Sequence, residues 1–166
     1  MGTGKSAVGR AVAKKLQRKF IELDEIVVQM AGKSIPDIFQ QDGEIAFREF
    51  EIQATRDIAR EKRVIIACGG GIVLNSINID RLRRDAVIIY LTASPGVIVK
   101  RISRDKNVRP LLNVADPASR VKELLKFREP FYERAADIKI NTSRLDIDAV
   151  AEQIIDRLKE DESFDI

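Results

Sequence analysis

Met1-Gly2-Thr3-Gly4-Lys5-Ser6-Ala7-Val8-Gly9-Arg10 decides the fold. Its Gly4-Lys5-Ser6 is the end of a phosphate-binding loop, whose full pattern is Gly, four residues, then Gly-Lys-Ser/Thr. Gly2 and Gly4 lack Cβ, so the backbone can curl and turn its N–H groups toward phosphate oxygens. Lys5 can reach the β- and γ-phosphates, and Ser6 can ligate Mg²⁺. Met-Gly-x-x-x-Ser also fits a myristoylation signal. The continuation favours the phosphate loop, because Val8, Ala11, Val12 and Leu16 recur at helical spacing and a helix N-terminus attracts anions. Counting back, the first glycine of the pattern falls two positions before Met1, and the strand that normally leads into such a loop has no counterpart in the sequence.

Working outward, composition narrows the chemistry. The chain has 166 residues, a single-domain length. Charged residues make up 33% and hydrophobic ones 45%, as in soluble globular proteins. The net charge of +3 suits anionic small molecules. With aromatics at 5% it does not suggest nucleic acid. There is no His, which excludes His-based triads and His–zinc sites and leaves Asp, Glu, Lys or Tyr as the general base. The single Cys excludes an internal disulfide and a Cys-based metal site. No apolar run is long enough to span a membrane and no signal peptide is visible, so a cytoplasmic protein is expected.

Strand-like and helix-like runs alternate. Strands are predicted at 19–23, 64–68, 86–91 and 138–141, the second and third nearly continuous apolar runs as in strands covered on both faces. Ala46, Phe50, Ala54 and Ile58 form one helical stripe, and Val150, Ile154, Ile155 and Leu158 another. The pattern predicts an α/β domain with a parallel sheet and ligands at the carboxyl ends of the strands. Two segments read as irregular: 32–43, with Gly32, Pro36 and Gly43, and 103–117, a mixed basic, Pro and Asp/Asn stretch suited to a closing lid.

Several strings then occur in order: GTGKS (2–6), LDE (23–25), GKSIPDIF (32–39), FREFE (47–51), GGG (69–71), NVRPLL (107–112) and REPFYERAAD (128–137). Each is ordinary alone. Together, from residue 2 to about 158, they resemble the shikimate kinases. The resemblance implies a three-layer domain of the phosphate-loop nucleotidase type, covering 1–166. Within it lie the phosphate loop (2–7), a shikimate-binding subdomain (about 24–52) and the lid (about 103–117).

The resemblance also implies roles. ATP binds on Gly2, Thr3, Gly4, Lys5, Ser6 and Ala7, with Arg101 and Arg144 against the adenine. Ser6 and Glu22 serve Mg²⁺; the family usually has Asp where Glu22 stands, one methylene shorter. Asp24, the second of two carboxylates at a strand end, accepts the substrate hydroxyl proton. Arg48 and Arg128 hold the substrate carboxylate, a task that suits the planar guanidinium fork. Glu51 orients Arg48, Phe39 and Phe47 wall the ring pocket, and Gly69, Gly70 and Gly71 let backbone N–H groups approach the substrate. Arg109 swings over the phosphates with the lid. Cys68 is expected to be inert, Tyr132 to be core, and Pro130 to kink or start a helix.

The family sheet has five strands in the order 2-3-1-4-5. Strand 1 is missing from this sequence, so its neighbours are expected to face a gap of about two strand spacings, each ~4.8 Å. The expectation is that the true start lies upstream. The implied reaction is transfer of the ATP γ-phosphoryl group to the 3-hydroxyl of shikimate, in chorismate biosynthesis, by a monomer that engages neither nucleic acid nor membrane. Two alternatives stay open: a gluconate-type small-molecule kinase, and a chain that binds nucleotide and catalyses nothing.

Overall fold

A computed structural model describes residues 2–104, 110–112 and 114–160. Four short parallel strands form the sheet: β1 (Lys19–Glu22), β2 (Val64–Ala67), β3 (Ile89–Thr92) and β4 (Ile138–Asn141). β1 pairs with β2, Lys19 opposite Val64, and β3 pairs with β4, Ile89 opposite Ile138. No ladder joins the two pairs among the described residues. Between them runs an apolar cleft of about 300 Å³, walled by Ile65 and Ala67 of β2 and Ile89 and Leu91 of β3. This is the interrupted sheet that the strand order predicts.

Helices cover both faces. α1 (Lys5–Lys15) lies over one face and spans the interruption. Its Val8 and Val12 share a core with Leu91, Ile138 and Ile140, with Ile65 packed at its margin and with α8 (Ile147–Lys159) alongside. Inside α8, Val150, Ile154, Ile155 and Leu158 are buried, as their spacing predicts. On the other face, α2 (Leu23–Ala31), α3 (Ile35–Gln41), α4 (Gly43–Ile58) and α5 (Ser76–Leu82) build a second core from Leu23, Val27, Ile38, Phe47, Ala54 and Ile58. A third cluster joins Ile98 of α6 (Pro95–Arg104) to Val121 and Leu124 of α7 (Pro117–Ala135) and to Leu112 of a 3₁₀ turn at Pro110–Leu112.

Three expectations need correction. The segment 32–43 is regular: Ser34 caps α3 by accepting from the Asp37 backbone N–H (3.3 Å), and Pro36 sits in the first turn, where a missing N–H is tolerated. Asp24 lies in the first turn of α2, because β1 stops at Glu22. β3 starts at Ile89, three residues late. Ile88 donates its N–H to the Asp137 carboxylate (2.8 Å), and its carbonyl accepts from Asp137 and Ile138, just ahead of the ladder that begins at Ile89. Of the two places expected for Pro130, a helix start and a helix interior, it takes the second, inside α7.

Candidate active site

The phosphate loop comes first in the chain and sets the site. Gly4 is the N-cap of α1 at φ +91°, a left-handed conformation that favours glycine, and no side chain caps the helix there. The first-turn N–H groups are therefore available to an anion, and the helix dipole favours one. Arg101 steadies the loop from α6. Its guanidinium donates to the Thr142 carbonyl (2.8 Å), the Thr142 hydroxyl (2.9 Å) and the Thr3 carbonyl (3.4 Å), tying the loop to the end of β4.

A cleft of about 1190 Å³ opens beside this loop. Gly2, Gly4, Lys5, Ser6, Ala7, Glu22, Asp24, Phe39, Phe47, Arg48, Gly69, Gly70, Gly71, Arg101 and Arg128 all line it, from seven separate segments of the chain. Two predicted residues do not. Thr3 is buried behind the loop, and Arg144 is exposed in the turn after β4. Arg109 lies outside the described residues; Leu111 and Leu112, just after it, reach the cleft wall.

On the loop side, Ser6, Asp24, Lys5 and Arg10 lie near enough to the Glu22 carboxylate to act on its charge. Burial pushes the Glu22 pKa upward despite the lowering influence of Ser6. Ser6 and Glu22 form a small set of hard oxygen donors. Among the described residues no group of three or more acidic, Cys or His side chains forms a metal cage. This fits Mg²⁺, which takes one or two protein ligands and completes its shell with water and phosphate.

The far side is built around Arg48. Its Nη1 donates to Glu51 Oε2 (2.9 Å), its Nη2 to Glu44 Oε1 (2.9 Å), and its Nε reaches the same Glu44 oxygen at 3.3 Å. Burial opposes the Arg48 charge, but the two carboxylates outweigh it and raise the guanidinium pKa. Glu51 is 0% exposed. Its burial, only partly offset by Arg48, pushes its carboxyl above the ordinary range. Phe39 and Phe47 stand 4.9 Å apart, centroid to centroid, and the Arg48 guanidinium lies 5.0 Å over the Phe47 ring.

The triple glycine follows β2. A Cβ on Gly71 would come within 2.3–2.6 Å of the Arg48 guanidinium, and one on Gly69 would meet Asp24 Oδ1 at 3.1 Å and Glu51 Oε1 at 3.3 Å. These two glycines make room for the charged side chains. Arg128 enters from α7, 5% exposed, and its Nε is buried without a hydrogen-bond partner. Arg128 as a whole lines the cleft, and a buried cationic group short of partners favours an anion beside it. Burial pushes the Cys68 thiol up to about 12, which keeps it protonated at neutral pH.

Sequence reasoning missed two residues. Glu44 holds Arg48 from one helical turn away, and the i, i+4 spacing of opposite charges in GEIAFR was the available signal. Tyr132, expected in the core, sends its hydroxyl to the Gly70 carbonyl (2.5 Å). No local pattern pointed to that contact.

Comparison with known proteins shows the family. A family model described as shikimate kinase matches residues 1–159. The shikimate kinase of Caldanaerobacter subterraneus subsp. tengcongensis is 50% identical over 155 residues, spanning 93% of this chain and 90% of that protein. The shikimate kinase of Thermodesulfovibrio yellowstonii is 46% identical, over 93% of this chain and 88% of that one. Among solved structures, a shikimate kinase from Acinetobacter baumannii in complex with shikimate superposes with a TM-score of 0.93 at 33% identity, covering 98% of this chain and 90% of that chain.

Proposed function

The chain belongs to the shikimate kinase family and phosphorylates shikimate using ATP, and on that premise we propose how its residues divide the work. The observation that carries the reading is the convergence of Arg48 and Arg128 on one Phe-walled cleft that also holds Asp24 and the phosphate loop. A small cyclic acid fits such a cleft with its carboxylate between the two guanidinium groups, on the unsatisfied Arg128 Nε and the Arg48 fork. Glu44 now occupies part of that fork, so binding exchanges one carboxylate for another at Arg48.

Phosphoryl transfer asks a protein mainly for position and charge. Asp24, beside the Gly69 turn, accepts the proton of the 3-hydroxyl and orients its oxygen toward the γ-phosphate. The α1 N-terminus and Lys5 hold the β- and γ-phosphates. Ser6 and Glu22 hold Mg²⁺, directly or through water; that ion, when bound, neutralises charge on the β- and γ-oxygens. Arg101 supports the loop through its guanidinium edge, which leaves its faces for an adenine ring. Arg109 is assigned to the charge of the transferring group, with the 103–117 segment closing to exclude water. The cytoplasm and a monomeric state complete the reading; no helix among the described residues is long and apolar enough to cross a membrane.

The test is ADP formation from MgATP with shikimate or gluconate, with the phosphorylated carbon located by phosphorus–proton coupling. Shikimate-dependent turnover and a phosphate on C3 are expected. Turnover of gluconate instead, or phosphate on another carbon, contradicts the assignment of the cleft. Nucleotide binding with no turnover of either acid supports a non-catalytic chain.

A further inference from the structure

The phosphate loop is held from behind by Thr142, the residue that follows β4. Thr3 and Thr142 are 5% and 2% exposed, and 139 positions separate them. A hydroxyl has one proton to give and lone pairs to receive. The Thr142 hydroxyl receives from Arg101 Nη1 at 2.9 Å. It donates toward two carbonyls, that of Thr92 at the end of β3 (3.0 Å) and that of Thr3 in the loop (3.2 Å). The Thr142 backbone is fixed as well: its N–H donates to the Thr92 carbonyl (2.8 Å), and its carbonyl accepts from Arg101 Nη2 (2.8 Å). Thr142 is therefore anchored at the end of the second strand pair, and its hydroxyl reaches from the sheet to the loop.

We propose that Thr142 is a positioning residue for the nucleotide half of the site: its hydroxyl holds the Thr3–Gly4 peptide in the orientation that presents the Gly4 N–H to phosphate. The inference rests on the proposed role of the loop. In a trans peptide the C=O and the N–H point in opposite directions. The Thr3 carbonyl faces Thr142 in the interior, so the Gly4 N–H faces the cleft that Gly4 lines. Turning this peptide over changes ψ at Thr3 and φ at Gly4. Gly4, at φ +91°, accepts φ of either sign, so the local chain does little to prevent the flip. A flipped peptide would aim a carbonyl oxygen at the phosphates in place of a donor. The Arg101 bond to the same Thr3 carbonyl is longer, 3.4 Å, which leaves the hydroxyl as the closer restraint. Holding the loop before nucleotide arrives removes that ordering cost from binding.

The test is Thr142→Val, close in shape but without the hydroxyl, set beside Thr142→Ser, which keeps it. Calorimetric titration of the Val variant with MgADP should show a Kd raised about tenfold, the scale for hydrogen bonds lost from a network that includes a charged group. KM for ATP should rise in step, while KM for shikimate stays within about twofold. The Ser variant should bind MgADP within about threefold of wild type, because the hydroxyl and its bonds remain. Thr142→Ala repeats the measurement if the Val protein does not fold. Unchanged MgADP affinity in a folded Val or Ala protein, equal losses for both substrates, or a Ser variant as weak as the Val variant overturns the proposal while leaving the kinase assignment standing. Wild-type protein that does not bind MgADP overturns the assignment of the loop, and this inference with it.

Discussion

Gly71→Ala isolates the packing of the acid-binding site in one methyl group. Gly71 has φ −94° and ψ −7°, a conformation open to alanine, so the backbone is not strained by the change. The added Cβ would sit 2.3 Å from Arg48 Nη1, 2.4 Å from Nη2 and 2.6 Å from Cζ. Ordinary carbon contacts lie near 3.5–4.0 Å, so the guanidinium must retreat by roughly 1 Å. A retreat of that size takes its 2.9 Å bonds to Glu51 and Glu44 beyond hydrogen-bond range. Glu51 is then left buried with a weakened partner. We expect a stability loss of about 1–3 kcal/mol, less than full removal of a buried partner because the charge stays nearby. In a chain of this size that is a fall in Tm of roughly 2–10 °C. Function should suffer more than stability: a displacement of about 1 Å at a substrate clamp can cost up to 10²-fold. Steady-state kinetics should therefore show kcat/KM for shikimate reduced about 10- to 100-fold, with KM for ATP nearly unchanged. A folded Gly71→Ala protein with wild-type shikimate kinetics refutes the reasoning, since Arg48 would then tolerate displacement or take no part in binding.

Asp24→Asn should lower kcat by about 10²–10⁴-fold, the range for loss of a general base, and change KM for shikimate little; near-wild-type turnover removes Asp24 from that role. Arg101→Ala should raise KM for ATP by about tenfold by freeing the loop from Thr142, with shikimate KM unaffected; steady-state titration of each substrate decides this. Glu51 should make stability pH-dependent. Its folded-state pKa lies above the ordinary 4.5, so the folded protein holds the proton more tightly than the unfolded chain. That contribution is complete below about pH 4.5 and is lost as pH rises through the higher folded value. Melting curves from pH 4 to 8 should show wild type losing stability relative to Glu51→Gln as pH rises; a difference that does not vary with pH contradicts this.

What could be read from the sequence follows the range of the physical signal. β1, β2 and β4 declare themselves through local pattern and appear within a residue of their predicted places, and α4 and α8 contain the two predicted helical stripes. The β3 boundary shifted because the Ile88 N–H is taken by a carboxylate distant in sequence, that of Asp137. Asp24 was expected at a strand end from the family resemblance; β1 stops at Glu22, whose backbone is still extended, and α2 begins at Leu23. Arg48 was legible through its motif, but Glu44 was passed over although its i, i+4 spacing offered a cue. The reason for Gly71 was not legible at all, since it depends on a guanidinium carried by another helix. Tyr132 was missed on similar grounds: its aromatic ring does pack, on Tyr90, and only tertiary structure shows the hydroxyl reaching Gly70.

A crystal structure of the protein with shikimate and MgADP tests the central claim most directly. The account predicts the shikimate carboxylate bridging Arg48 and Arg128, with the Arg128 Nε among its donors and Glu44 drawn off the Arg48 fork. It also predicts the 3-hydroxyl within hydrogen-bond reach of Asp24 and directed at the nucleotide over Lys5. A carboxylate bound away from the two arginines, or a ring reversed so that another hydroxyl meets Asp24, contradicts it.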